Sequence, residues 1–146
     1  MFPSDRLNDL LIDLGRSLLQ YVGESWPWAS EEEAAEQTAV ERMVAEQRET
    51  VLQFAALLDE RGHRIAYGQY PSEYTSLHYV ALDYLLDQLL DDQQFLVDEL
   101  SAAAHDAGDD EAARHVIAAA ADQAAGHHRE LQELIAKRKF RSGVTA

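Results

Sequence analysis

The sequence predicts an all-α fold, an antiparallel four-helix bundle forming one domain over residues 1–146. Three observations carry this. Ala, Leu, Glu, Gln and Asp dominate the chain, and all but Asp are good helix formers. Apolar residues recur every three or four positions over long runs, while period-two alternation never persists. The three prolines, Pro3, Pro27 and Pro71, and the glycines Gly62, Gly108 and Gly143 fall between those runs, where helices start and stop.

The first helix is expected from Pro3 or Ser4 to about Gly23. Its stripe of Leu7, Leu11, Leu14, Leu18 and Tyr21 has the rhythm of one buried face. Trp26-Pro27-Trp28 then interrupts the helical run. Ser30 with Glu33 makes a capping box, and the acids at 31–33 suit the positive end of a second helix. That helix is expected over about 31–61, with the stripe Val40, Val44, Gln47, Val51, Phe54 and Leu58. At ~1.5 Å per residue it makes a rod of about 48 Å. A tyrosine-rich connection leads to a third helix, about 74–107, with the stripe Leu82, Leu85, Leu89, Gln93, Leu96 and Leu100. Gly108 ends it, and Asp109 or Asp110 caps a fourth helix over about 109–139. Its stripe is Ala113, Ile117, Ala120, Ala124, His127, Leu131 and Leu134. Lys137, Arg138, Lys139 and Arg141 place cations at the negative end of that helix, with a basic docking patch as their alternative use.

Twelve Lys and Arg against 27 Asp and Glu give a formal net charge of −15. Phosphate contacts work against that field, so no nucleic-acid partner and no anionic membrane surface is expected. The lack of cysteine excludes disulfides, thiol catalysis and Cys-ligated zinc. Asp9 and Asp13 interrupt the leucines near the start, where a secretory signal needs an apolar run of about 7–15 residues. No stretch approaches the ~18 apolar residues of a spanning helix. Cytoplasmic residence is expected, in agreement with the missing cysteines.

Three stripes are interrupted once each by a polar residue. Gln47 lies near the middle of the second helix, Gln93 near the middle of the third, and His127 somewhat past the middle of the fourth. Asp92 fits the third stripe nearly as well. Aligned helices bring these side chains to one level of the core. A buried polar group without a partner costs about 1–3 kcal/mol, so a mutually hydrogen-bonded layer that fixes helix register is expected. A metal or small-ligand site at the same level is the alternative.

With these residues the chain resembles the ferritin-like superfamily, including rubrerythrin-type and related small bacterial proteins. That family holds a carboxylate-bridged di-iron or di-manganese site in a four-helix bundle. Two helices supply a Glu-x-x-His each, and two supply single Glu residues. The segment from Gln123 to Leu131 resembles the family's last helix, with Ala124 or Ala125 where an acid stands three residues before His127 or His128. Gln47-Arg48-Glu49-Thr50 resembles the same motif, with Gln47 at the Glu position and Thr50 at the His position. The third helix offers Gln93 or Asp92 for a single Glu, and the first has Ser17 and Gln20 near its face. The resemblance spans about residues 5–136 and implies a ferritin-like bundle whose di-metal ligands are lost or replaced. No cofactor is then expected, with iron or manganese in an altered carboxylate–histidine site doing redox chemistry as the alternative. The resemblance also implies a crossover connection between the second and third helices. The segment from His63 to about Glu73 reaches at most about 36–40 Å. A plain up-down turn needs only about 2–8 residues, so linker length favours the crossover.

The remaining candidates have bland readings. Asp83, Asp87 and Asp91 recur every four residues as a solvated face. His63, His78, His105 and His115 fall near helix ends. No Gly-x-Ser-x-Gly elbow or phosphate-cradling glycine loop occurs. Tyr67, Tyr70, Tyr74 and Tyr79, with Trp26 and Trp28, cluster at the connections. They are expected to pack these onto the bundle, or else to form a patch for self-association. The combined expectation is a non-catalytic homo-oligomeric bundle, possible as a dimer. A metalloprotein and a small-ligand binder are the competing readings.

Overall fold

Helix formers and spaced leucines produce helices, and no strand occurs among the described residues. The computed structural model describes residues 1–28 and 31–141, without the side chains of His78 and Tyr79. The helices are α1 (Ser4–Gly15), α2 (Leu18–Ser25), α3 (Ala34–Glu60), α4 (Leu82–Ala107) and α5 (Glu111–Arg141). Short 3-10 segments cover Glu31–Glu33 and Ser72–Tyr79. Ser30, and with it the capping pair, lies outside the described residues, as does Gly143.

The expected single first helix is two. Ser17 takes an extended backbone, with φ −69° and ψ 163°, and its side chain accepts from the Gln20 amide as the N-cap of α2. Leu14 and Leu18 are both buried across this break, which is why the stripe reads as one continuous helix. The third helix starts at Leu82 instead of about residue 74. Thr75 Oγ1 and Ser76 Oγ donate back to the Ser72 and Glu73 carbonyls at 2.8 Å each, holding that stretch in a tighter turn. Gly108 closes α4 with φ 53°, and Asp110 caps α5 by accepting from the Ala113 amide at 3.2 Å.

The stripes bury two apolar clusters, one in each half of the bundle. The first joins Leu7, Leu11 and Leu14 of α1 to Phe54 and Leu58 of α3, Leu96 and Leu100 of α4, and Ile117 and Ala120 of α5. The second joins Leu18, Leu19 and Val22 of α2 to Val40, Met43 and Val44 of α3, Leu85, Leu86 and Leu89 of α4, and Leu131 of α5. Each fully buried leucine contributes about 1.5–3 kcal/mol. Both α3 and α4 therefore end in the first half, and both begin in the second.

Residues 61–81 must consequently travel back along the bundle, and they do so on the first rod. Asn8 exchanges hydrogen bonds with the Ala66 backbone at 2.7 and 2.9 Å. Arg16 Nε donates to the Tyr67 and Gly68 carbonyls at 3.2 and 3.1 Å, and its guanidinium lies 4.9 Å from the Tyr70 ring centre. Tyr70 and Tyr74 then pack on Tyr21, with centroids at 5.3 and 5.5 Å. These rings attach the connection to the bundle, while Tyr67 stays half exposed.

One carboxylate ties the first end together. Asp110 accepts from the Phe2 amide at 2.9 Å and from Arg61 at 2.7 Å, and Arg61 also reaches the Phe2 carbonyl at 3.4 Å. The Arg61 guanidinium, assisted by the Phe2 and Ala113 amides, holds the Asp110 carboxyl down at about 2. Among the described residues no helix is long and apolar enough to cross a membrane.

Gly68 is the tightest point of the crossing connection. Its φ is +70°, and a Cβ there would lie 2.8 Å from Ile12 Cγ2. Gly68→Ala is expected to destabilise the protein by about 1–2 kcal/mol, read as a lowered urea midpoint. An unchanged midpoint would mean that the connection is not seated on α1.

Candidate functional site

Between the two apolar clusters every rod places polar side chains. Ser17 and Gln20 follow Leu14, Gln47 follows Val44, Gln93 stands between Leu89 and Leu96, and His127 between Ala124 and Leu131. All five are buried. The sequence-predicted residues therefore share one level, but they resolve into separate hydrogen-bonded groups instead of one network.

Gln47 belongs to the break in the first rod. Its Oε1 accepts from Ser17 Oγ and from Gln20 Nε2, both at 2.9 Å, and Gln20 Nε2 also donates to the Val44 carbonyl at 3.0 Å. Asp92 faces the same break from α4. Burial pushes its carboxyl up to about 6, while the Leu18 and Leu19 amides in the first turn of α2 pull it down. Gln93 is fully buried and has only a long 3.5 Å approach from its Nε2 to Asp92 Oδ2, and its Oε1 has no partner.

His127 faces α3. Its Nε2 lies 2.9 Å from Glu46 Oε1, and its Nδ1 has no partner. Arg42 pairs with Glu46 at 3.0 Å and also with Glu130. The His127 hydrogen bond, followed by the Arg42 charge, holds the Glu46 carboxyl below its ordinary range. Thr50 donates to Gln123 Oε1 at 2.9 Å, and Gln123 Nε2 to the Glu46 carbonyl at 3.1 Å. Thr50 thus serves a seam between α3 and α5. No hydrogen bond among the described residues joins Gln47, Gln93 and His127 to one another.

This donor set does not fit a di-iron or di-manganese centre. Such a centre needs bridging carboxylates from several helices. Here the mid-core level offers amides, one imidazole and the carboxyls of Asp92 and Glu46, which are already engaged. The Gln47 oxygen already accepts two donors, the Asp92 carboxylate faces backbone amides, and Glu46 is occupied by His127 and Arg42. Among the described residues no group of three or more His, Asp or Glu is placed to hold a metal ion.

Other predicted residues lie apart from this level. Asp83 pairs with Arg138, and Asp87 and Asp91 are exposed. His63 approaches Asp5 at 3.7 Å, and His105 and His115 are exposed. Sequence reasoning missed Glu46, the neighbour of Gln47, whose signal was its spacing of four from Arg42. It also missed a carboxyl seam between α1 and α4. There Glu99 is half-buried, hydrogen-bonded to Asp13 and close to Asp9, and its Oε2 is buried without a partner. Burial, then the Asp13 hydrogen bond and the Asp13 and Asp9 charges, push the Glu99 carboxyl up to about 8. Burial, helped by Asp92, Glu73 and Asp13, pushes the Tyr74 hydroxyl up to about 12.

Two outcomes follow from these geometries. Gln47→Leu strands the Ser17 and Gln20 donors and is expected to cost about 1–3 kcal/mol by urea denaturation. Replacing Ser17, Gln20 and Gln47 together by apolar residues should recover most of that loss. For Glu99, the folded-state carboxyl lies above its unfolded value of 4.5. Its contribution to stability is full below that value and is lost as the pH rises towards about 8, because the unfolded chain gives up the proton first. Asp92 loses stability in the same direction between 3.8 and about 6. Asp110 acts oppositely and loses its contribution as the pH falls from 3.8 towards about 2. Urea midpoints of the parent should therefore fall from mildly acidic to mildly alkaline pH, and Glu99→Gln should flatten that fall. Parallel pH profiles for parent and variant would mean that the Glu99 carboxyl is not held protonated in the folded protein.

No family model, no curated protein and no solved structure matches this chain.

Proposed function

We propose that this chain is a ferritin-like four-helix bundle that works without catalysis, its interior amide layer standing where the family's di-metal site would lie. The observation that carries this reading is the closed group of Ser17, Gln20 and Gln47, in which the Gln47 oxygen is engaged in contacts between helices. The topology supports it as well. A first antiparallel pair, a connection running the length of the bundle and a second antiparallel pair form the order that the resemblance implies. Cytoplasmic residence fits a chain without cysteine.

Self-association through the outer face of α4 accompanies this reading. Tyr84 is half exposed there and Phe95 more than half, and they stand about three turns apart on neighbouring positions of one face. A homodimer is therefore expected.

A second reading is favoured by one observation. Gln93 Oε1 and His127 Nδ1 are buried without partners at one level of the α4–α5 hairpin. A small molecule donating hydrogen bonds to both would satisfy them, which is the arrangement of a ligand binder.

The decisive experiment is elemental analysis of protein purified without a metal-affinity tag. Substoichiometric iron, manganese and zinc are expected, whereas stoichiometric metal lost on His127→Ala would overturn the non-catalytic reading. Light scattering should give a dimer that Phe95→Asp converts to a monomer. A monomeric parent at high concentration would remove the association.

A further inference from the structure

The second end of the bundle carries a cavity of about 410 Å³ where α3 begins and α5 ends. Ala35, Leu134, Ala136 and Phe140 supply its apolar lining, and Lys137, Arg141 and Glu36 its polar groups. The Phe140 ring is 75% exposed, an unusual position for a large apolar side chain beside an apolar cavity. The volume falls within the range of about 300–1,000 Å³ of small-molecule sites, and a mostly apolar wall with few convergent polar groups is their usual composition.

The charges decide what such a site accepts. Glu36 is buried, and its Oε1 contacts Arg141 and stands 3.7 Å from Arg138. Arg138 also pairs with Asp83. Two guanidiniums thus approach one oxygen of this buried carboxylate while its Oε2 has no partner, and a ligand carboxylate competes with Glu36 for Arg141. Lys137, on the same side of the cavity, forms no ion pair among the described residues. The residues that line this cavity therefore carry two cations, Lys137 and Arg141, against the one carboxylate of Glu36, in a chain whose formal net charge is −15. An ammonium ligand would meet like charges here, whereas a carboxylate finds Lys137 and Arg141 one helical turn apart.

We propose that this cavity binds an amphiphilic monoanion, an apolar chain or ring bearing one carboxylate, with the apolar part against Leu134 and Phe140 and the carboxylate at Lys137 and Arg141. Binding buries the Phe140 ring and gives Lys137 a partner. This site is separate from the mid-core layer and stands or falls independently of the catalytic question.

Isothermal titration with decanoate, decanol and decylamine tests it on the full chain. Decanoate is expected to bind, with decanol weaker by about five- to tenfold and decylamine weaker still. Lys137→Glu should weaken decanoate by about tenfold or more and leave decanol unchanged. Glu36→Gln should tighten decanoate, since it removes the carboxylate that lines this cavity beside Lys137 and Arg141 and frees Arg141. Arg48→Glu, on the outer face of α3, should change nothing. Thermal melts establish that each variant remains folded. Decylamine binding as tightly as decanoate, weaker decanoate binding in Glu36→Gln, indifference to Lys137→Glu, or no decanoate binding at millimolar concentration would each overturn the proposal.

Discussion

A buried amide or hydroxyl in a leucine core must find its hydrogen-bond partner inside the protein, and much of this bundle follows from that demand. In a continuous first helix the Leu18 and Leu19 amides would be consumed by carbonyls one turn earlier. The break at Ser17 releases them toward Asp92 and turns the Ser17 hydroxyl toward Gln47. Because one oxygen of Gln47 accepts from both Ser17 and Gln20, the first rod is pinned against α3 at a single axial position. Sliding by a turn would strand both donors, at about 1–3 kcal/mol each. Leucine contacts alone are tolerant of such slips, so register comes from the polar level and bulk stability from the clusters on either side.

The two ends are closed by a different device. Asp110 gathers the Phe2 amide, Arg61 at the end of α3 and the first turn of α5. Glu36, at the start of α3, gathers Arg138 and Arg141 from the last turns of α5. Removing one partner of such a buried pair leaves a charge uncompensated, so these pairs resist fraying where helix ends are weakest. The crossing connection lies between these closures and follows the first rod by backbone hydrogen bonds and stacked tyrosines.

Much of the architecture was legible because apolar spacing reports burial directly. Every residue of the third stripe is buried, Gln93 included, and Gly108 and Asp110 mark the turn where expected. The break at Ser17 was not legible, since Leu14 and Leu18 keep helical spacing across it and only tertiary partners make the bend favourable. The late start of α4 was hidden likewise, because Thr75 and Ser76 favour either a helix start or a tighter turn. At the candidate site, the level of Gln47, Gln93 and His127 could be read from the stripes, but their partners could not. Glu46 and Gln123 sit just off the apolar faces, where sequence shows only an ordinary surface residue. Glu36 was readable in principle, as an acid four residues before Val40 on a buried stripe.

Charge placement explains why a bundle so rich in carboxylates need not be a metal carrier. The acids that reach the interior each have an occupation. Asp92 faces the first amides of α2, Glu46 holds His127 and Arg42, and Glu99 is hydrogen-bonded to Asp13. Recruiting Asp92 to a metal would expose the Leu18 and Leu19 amides, at about 1–3 kcal/mol for each unsatisfied donor. Recruiting Glu46 would leave Arg42 with one partner and His127 without the bond that orients it. A metal would therefore compete against the contacts that fix the register of the helices. In a site built for metal, the same carboxylates would be anchored by neighbours that point them at the ion. Here their neighbours are backbone amides, an arginine and another carboxyl, and these hold the helices to one another.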